Sequence, residues 1–137
     1  MASRLASLND YGQSAWFDFV SRDLLRSGQL TQMIKDDALK GVTSNPSIFE
    51  KAIGHGEDYD ELIRQAEASG DLDPGALFEG LAVHDIQEGA DAMRPVYQQT
   101  QGRDGYISLE VSPYLAMQTH ETIGKRAGCG ARSTGRT

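Results

Sequence analysis

Three short strand-like stretches, each with an apolar face and a second face that ends in a polar side chain, constrain the fold of this chain more than any other feature. They are Ser14-Ala15-Trp16-Phe17-Asp18, Gly41-Val42-Thr43-Ser44-Asn45 and Tyr106-Ile107-Ser108-Leu109-Glu110-Val111. A period of two is that of a strand, so one face of the first carries Ser14, Trp16 and Asp18, while Ala15, Phe17 and Phe19 line the other. The segments between them are helical. Leu24, Leu25, Leu30, Met33 and Ile34 recur at helical spacings, with a break at Gly28. Asn45-Pro46 is a helix start, with Asn at the cap and Pro in the first turn. Beyond a Gly54-His55-Gly56 loop, Tyr59, Leu62, Ile63 and Ala66 mark a short helix. Asp73-Pro74 opens the longest one, whose stripe runs from Leu77 and Phe78 to Val96 and Tyr97 and which Pro95 is expected to kink or break. A turn from Gly102 to Gly105 leads into the third strand, Pro113 ends it, and a last helix is expected from about Leu115 to Ile123.

Strand, helix, strand, helices, strand, helix predicts α/β architecture with a parallel sheet, because parallel strands need a crossover and helices supply it. Helices would take the apolar strand faces, and the opposite faces would converge. Their polar groups then collect at the carboxyl ends of the strands, where α/β enzymes place active sites. The candidates are Asp18 from the first strand, Thr43 and Asn45 from the second, and Ser108 and Glu110 from the third. A carboxylate inside a packed sheet is costly unless it has a partner or a chemical task. The plainer alternative is that Asp18 and Glu110 sit at exposed strand ends.

Composition narrows the function. The 137 residues carry a formal net charge of −7, which disfavours binding to nucleic acid, whose phosphates attract basic surfaces. No apolar run approaches the ~20 residues of a membrane helix, and MASRLASLND lacks the apolar stretch of a secretory leader. The single cysteine, Cys129, forms no internal disulfide, so a cytoplasmic location is expected. His55, His84 and His120 show no metal-ligand spacing, and no metal is expected. His84, Asp85, Glu88 and Asp91 read as a solvated helix face.

Gly41-Val42-Thr43-Ser44-Asn45-Pro46-Ser47-Ile48-Phe49-Glu50-Lys51-Ala52-Ile53, taken with Asp104-Gly105-Tyr106-Ile107-Ser108-Leu109-Glu110-Val111-Ser112-Pro113, closely resembles the two N-terminal signatures of the transaldolase family. Gly12-Gln13-Ser14-Ala15-Trp16-Phe17-Asp18, followed by Ser21-Arg22-Asp23-Leu24-Leu25, resembles that family's opening. The resemblance runs from about Leu5 to Ile123 and implies an incomplete (β/α)8 TIM barrel of the class I aldolase type. Residues 1–123 would supply about three N-terminal β/α units. It also implies a transferase of the non-oxidative pentose phosphate pathway, with sugar phosphates as partners. Such an enzyme moves a dihydroxyacetone unit from sedoheptulose 7-phosphate to glyceraldehyde 3-phosphate. The family needs no metal or organic cofactor, because a lysine amine forms a Schiff base with the donor ketone and the iminium is the electron sink. By the same resemblance Asp18 matches the base that deprotonates the hydroxyl beside the breaking bond. Glu110 matches the acid that carries protons through a bound water, and Asn45 matches the residue that hydrogen-bonds the dihydroxyacetone part. Thr43 and Ser108 would be supporting donors to substrate or packing residues.

The sequence departs from the family at one decisive point. The Schiff-base lysine lies on the fourth barrel strand in an apolar run ending near Ile-Lys-Val-Pro, and no such run is present. Lys35, Lys40, Lys51 and Lys125 do not match it, so none inherits the role and the chain is expected to be inactive alone. The length also falls short of the ~250 residues of a complete barrel. Residues 124–137, GKRAGCGARSTGRT, carry Lys125, Arg126, Arg132 and Arg136 without an acid, and read as a basic, Gly-rich, disordered tail outside the family pattern. GC-rich codons read two bases downstream permit a stretch like the family's continuation, which predicts a frameshift after about Ile123. The alternatives are a short paralogue, a non-catalytic fragment that docks onto a full-length barrel, or a related Schiff-base aldolase acting on fructose 6-phosphate. Oligomeric state is left open.

Overall fold

The structure is a computed structural model that describes residues 3–55, 57–70, 73–110 and 117–124. β1 (Trp16–Asp18), β2 (Gly41–Thr43) and β3 (Tyr106–Ile107) form one sheet in the order β1-β2-β3, with both pairs parallel. The register sets Phe17 beside Val42 and Val42 beside Ile107, and these three side chains meet the core of Val20, Leu24, Leu30, Ala82, Ile86, Met93 and Val96. Trp16, Gly41 and Tyr106 are level with one another on the alternate positions, and Asp18 and Thr43 form the next pair along. The expected parallel α/β arrangement is present, and the strands divide their side chains between two faces as alternation requires.

The regular strands are shorter than the alternating stretches, although pairing continues beyond them. The Lys40 amide donates to the Ala15 carbonyl (2.8 Å), Gly105 N–H to Lys40 (2.7 Å) and Ser108 N–H to Val42 (3.0 Å). Phe19 departs from its expected face. The strand ends at Asp18, so alternation stops there; Phe19 is left 37% exposed and Val20 enters the core instead. Val111, Pro113 and the expected helix start at Leu115 lie outside the described residues, as does the tail from Lys125, while residues 119–124 are helical.

On the apolar side of the sheet, α1 (Arg22–Arg26) begins where the Ser21 side chain accepts the Leu24 amide, and α2 (Gln29–Asp36) follows the expected break at Gly28. α3 (Pro46–His55) contains Gly54 and His55, which the sequence reading placed in a loop. A glycine within a helix costs only about 1 kcal/mol, so it does not end one by itself. Tyr59 closes a short 3-10 turn, Glu57–Tyr59, and is wholly buried, rather than joining the stripe of α4 (Asp60–Ser69). α5 (Pro74–Gln99) starts at Asp73, whose carboxylate accepts the Ala76 amide (2.8 Å).

Pro95 does not break α5, which continues to Gln99. Proline removes the N–H that would reach Asp91, and both residues are exposed, so the bond is lost on the solvent side of the helix, where it costs least. Gly89 lets α5 settle onto β3, since a Cβ there would lie 2.5 Å from Ile107 Cδ1. Among the described residues no helix is long and apolar enough to cross a membrane.

Candidate active site

The carboxyl ends of β1 and β2 bring two of the expected residues into contact. Asp18 and Thr43 are register partners, and the Thr43 hydroxyl donates to Asp18 Oδ1 at 2.5 Å. A hydroxyl on an ionised carboxylate makes one of the shorter and stronger hydrogen bonds available to side chains. The contact follows from alternation: Phe17 and Val42 turn toward the helices, so Asp18 and Thr43 must turn away from them. One step toward the amino ends, the indole of Trp16 lies across Gly41. A Cβ on Gly41 would come within 2.3–2.6 Å of the indole ring atoms, so only glycine admits the ring there. The rest of Trp16 stays 45% exposed. Tyr106, on the same level, is held to one side: its hydroxyl donates to the Gly102 carbonyl (2.6 Å) and its ring meets Tyr97 edge-on at 5.5 Å.

The remaining candidates stand differently. Asn45 caps α3, its Oδ1 accepting the Ser47 amide at 2.9 Å while its carbonyl accepts Ile48 N–H at 3.0 Å. Its Nδ2 amide donates to nothing among the described residues. Ser108 engages through its backbone: its N–H donates to Val42, and its carbonyl accepts the hydroxyl of buried Ser44 at 2.7 Å. Ser44 thus ties β2 to β3 just past the ladder, a role the sequence reading did not assign. Glu110 is exposed and has no hydrogen-bond or ion-pair partner among the described residues. Leu109 before it packs against the core, and Glu110 lies beyond the two-residue strand β3, where strand alternation no longer sets a side chain's face.

Comparison with known proteins bears on what this arrangement is. The family model described as Transaldolase/Fructose-6-phosphate aldolase matches residues 15–127, a span that holds all three strands and every candidate residue. The chain belongs to this family. It is similar to "Transaldolase" of Saccharopolyspora erythraea, 46% identical over 121 residues that make up 88% of this chain and 32% of that protein. "Transaldolase 2" of Nostoc sp. is 40% identical over 121 residues, again 88% and 32%. "Transaldolase" of Thiobacillus denitrificans is 44% identical over 113 residues, 82% and 31%. The chain spans about a third of the length of these curated relatives.

A second polar cluster in this transaldolase-family segment corrects the sequence reading of Asp85. That residue is fully buried rather than part of a solvated face. Its Oδ1 accepts Arg22 Nε (3.0 Å) and NH2 (2.5 Å), and its Oδ2 accepts the Tyr59 hydroxyl (2.6 Å). Arg22 also donates to the Asp58 carbonyl (3.2 Å), and its guanidinium lies 4.3 Å from the Tyr59 ring centre. Burial first, then the hydrogen bond to Asp85 and its charge, push the Tyr59 phenol well above the usual range, so it stays a donor. α1, α5 and the turn before α4 are thereby joined. A signal was present: Asp85 falls among Ala82, Ile86, Gly89 and Met93, on the buried stripe itself.

Ligand atoms of His84, Asp85 and Glu88 lie within 4.8 Å of one another. His84 Nδ1 is buried without a hydrogen-bond partner among the described residues, 3.6 Å from both Asp85 Oδ1 and Glu88 Oε1. Arg22 and Tyr59 already occupy both oxygens of Asp85, and the guanidinium balances its charge.

Proposed function

We propose that this chain supplies the first three β/α units of a class I aldolase-type (β/α)8 barrel, and that the whole barrel catalyses transaldol transfer. A dihydroxyacetone unit passes from sedoheptulose 7-phosphate to glyceraldehyde 3-phosphate through a Schiff base. The observation that carries this reading is the Asp18–Thr43 pair, set at the strand ends on the face the helices leave open, within the matched family segment. The relatives' names favour transfer over simple cleavage of fructose 6-phosphate.

Asp18 removes the proton from the hydroxyl beside the breaking carbon–carbon bond. Glu110 passes protons through a water as the Schiff base forms and hydrolyses. Asn45 donates its free amide to the dihydroxyacetone part while its Oδ1 stays on the Ser47 amide. Ser108 packs beside them. The Schiff-base lysine belongs to a later unit. Lys35 on α2 and Lys51 on α3 are exposed, and half-buried Lys40 precedes β2 at the opposite end of the strand from Asp18.

Proton transfer alone contributes roughly 10²–10⁴-fold, so Asp18 and Glu110 without an electron sink do not complete turnover. The test is a transfer assay with fructose 6-phosphate as donor and erythrose 4-phosphate as acceptor. The 137-residue chain is expected to form no sedoheptulose 7-phosphate. A chain extended by the family's remaining units is expected to form it, and Asp18→Ala there should impair bond cleavage more than adduct formation. An Asp18→Ala variant with undiminished cleavage would remove Asp18 from the mechanism.

A further inference from the structure

We propose that Thr43 is a positioning residue for Asp18: its hydroxyl holds the carboxylate by Oδ1 and leaves Oδ2 as the oxygen that meets a ligand hydroxyl. This rests on reading Asp18 as the base, and replaces the expectation that Thr43 binds substrate or merely packs. A threonine hydroxyl has one proton, and here that proton lies on Asp18 Oδ1. Toward a ligand it offers only lone pairs, which makes it a poor donor to a ketose. Its direction is set from the backbone, because β-branching restricts χ1 and the parallel register places Thr43 directly opposite Asp18.

Among the described residues Thr43 is the only hydrogen-bond or ion-pair partner of the Asp18 side chain. Asp18 is exposed, it is the last residue of its strand, and Oδ2 has no hydrogen-bond partner among the described residues. Without Thr43 the carboxylate would exchange between rotamers, and the two oxygens would exchange places. With it, one oxygen is committed and the other is presented at the carboxyl ends of the strands. Thr43 therefore acts through Asp18 and touches no reacting atom itself.

The test uses the 137-residue chain at low concentration and needs no turnover, so it is independent of whether transfer occurs. Asp18 χ1 is read from Hα–Hβ and N–Hβ couplings, and Thr43 hydroxyl exchange from its NMR signal, in the native chain and in Thr43→Val, Thr43→Ser and Asp18→Ala. A single Asp18 rotamer is expected in the native chain and in Thr43→Ser, and averaged couplings in Thr43→Val, with Val42 and Ile107 amide protection unchanged in all three. Asp18→Ala is expected to speed hydroxyl exchange about tenfold, the scale of one hydrogen bond to a charged group. Averaged couplings in the native chain, a single rotamer in Thr43→Val, or hydroxyl exchange unaffected by Asp18→Ala would each overturn the proposal. If Thr43→Val loses the amide protection of β2, the hydroxyl exchange of native and Asp18→Ala chains decides alone.

Discussion

Arg22, Asp85 and Tyr59 are among the most deeply buried side chains described, and each depends on the other two. A buried ion pair is a weak source of net stability but a strong liability when halved: losing one partner strands a charge and costs about 3–5 kcal/mol. Asp85→Ala is therefore expected to move the urea midpoint of unfolding strongly downward. An Arg22→Met, Asp85→Leu double replacement should match or exceed the native chain. Equal losses in both variants would show that the cluster contributes through its charges rather than through their mutual compensation. Tyr59 adds a pH limb. Its folded pKa is raised, so its contribution is complete below the usual phenol value of about 10 and is lost as pH climbs from there toward the folded value. Tyr59→Phe should remove that alkaline decline, read as urea midpoint against pH; a decline of unchanged size would exclude Tyr59 as its source. The sequence made Asp18 and Thr43 visible because alternation alone sets their face. Asp85's place on the stripe of α5 pointed to burial, but its pairing with Arg22, 63 residues away, emerges only once the chain is folded.

Among the elements, Gly41 and Gly89 both permit close approach, with different consequences when filled. A methyl on Gly41 meets the fused ring of Trp16, which cannot bend away, so Gly41→Ala is expected to displace the indole and weaken β1–β2 pairing. Trp16 is the only tryptophan, so its emission reports this directly, and an unaltered spectrum would contradict the packing described. Gly89→Ala meets only the far end of Ile107, which can rotate, and alanine favours a helix by about 1 kcal/mol over glycine. Its effect should be the milder of the two. Element order, parallel pairing and the caps at Asn45 and Asp73 were legible because each rests on local chemistry: alternation, a side-chain acceptor, a proline in the first turn. What misled was punctuation. Gly54 and Pro95 read as breaks, but α3 and α5 run through them because one poor helix former is outweighed by its neighbours.

At the scale of the whole molecule, three parallel strands do not close a barrel, and the face bearing Trp16 and Tyr106 keeps both rings nearly half exposed. Open strand edges beside such a face favour association between chains. The 137-residue chain is expected to self-associate increasingly with concentration and to melt over a broad, poorly reversible range. A sharp, reversible two-state transition of a monomer would show that the three units are self-sufficient. We propose that this chain carries the proton-transfer residues of a transaldolase-family barrel and not its Schiff-base amine. Borohydride reduction of the purified chain in the presence of fructose 6-phosphate, followed by intact-mass and peptide mass spectrometry, tests that claim most directly. No mass increase above that of the reduced protein alone is expected. A stoichiometric reduced adduct on one lysine, with Lys51 beside the β2 motif the first to inspect, would contradict it.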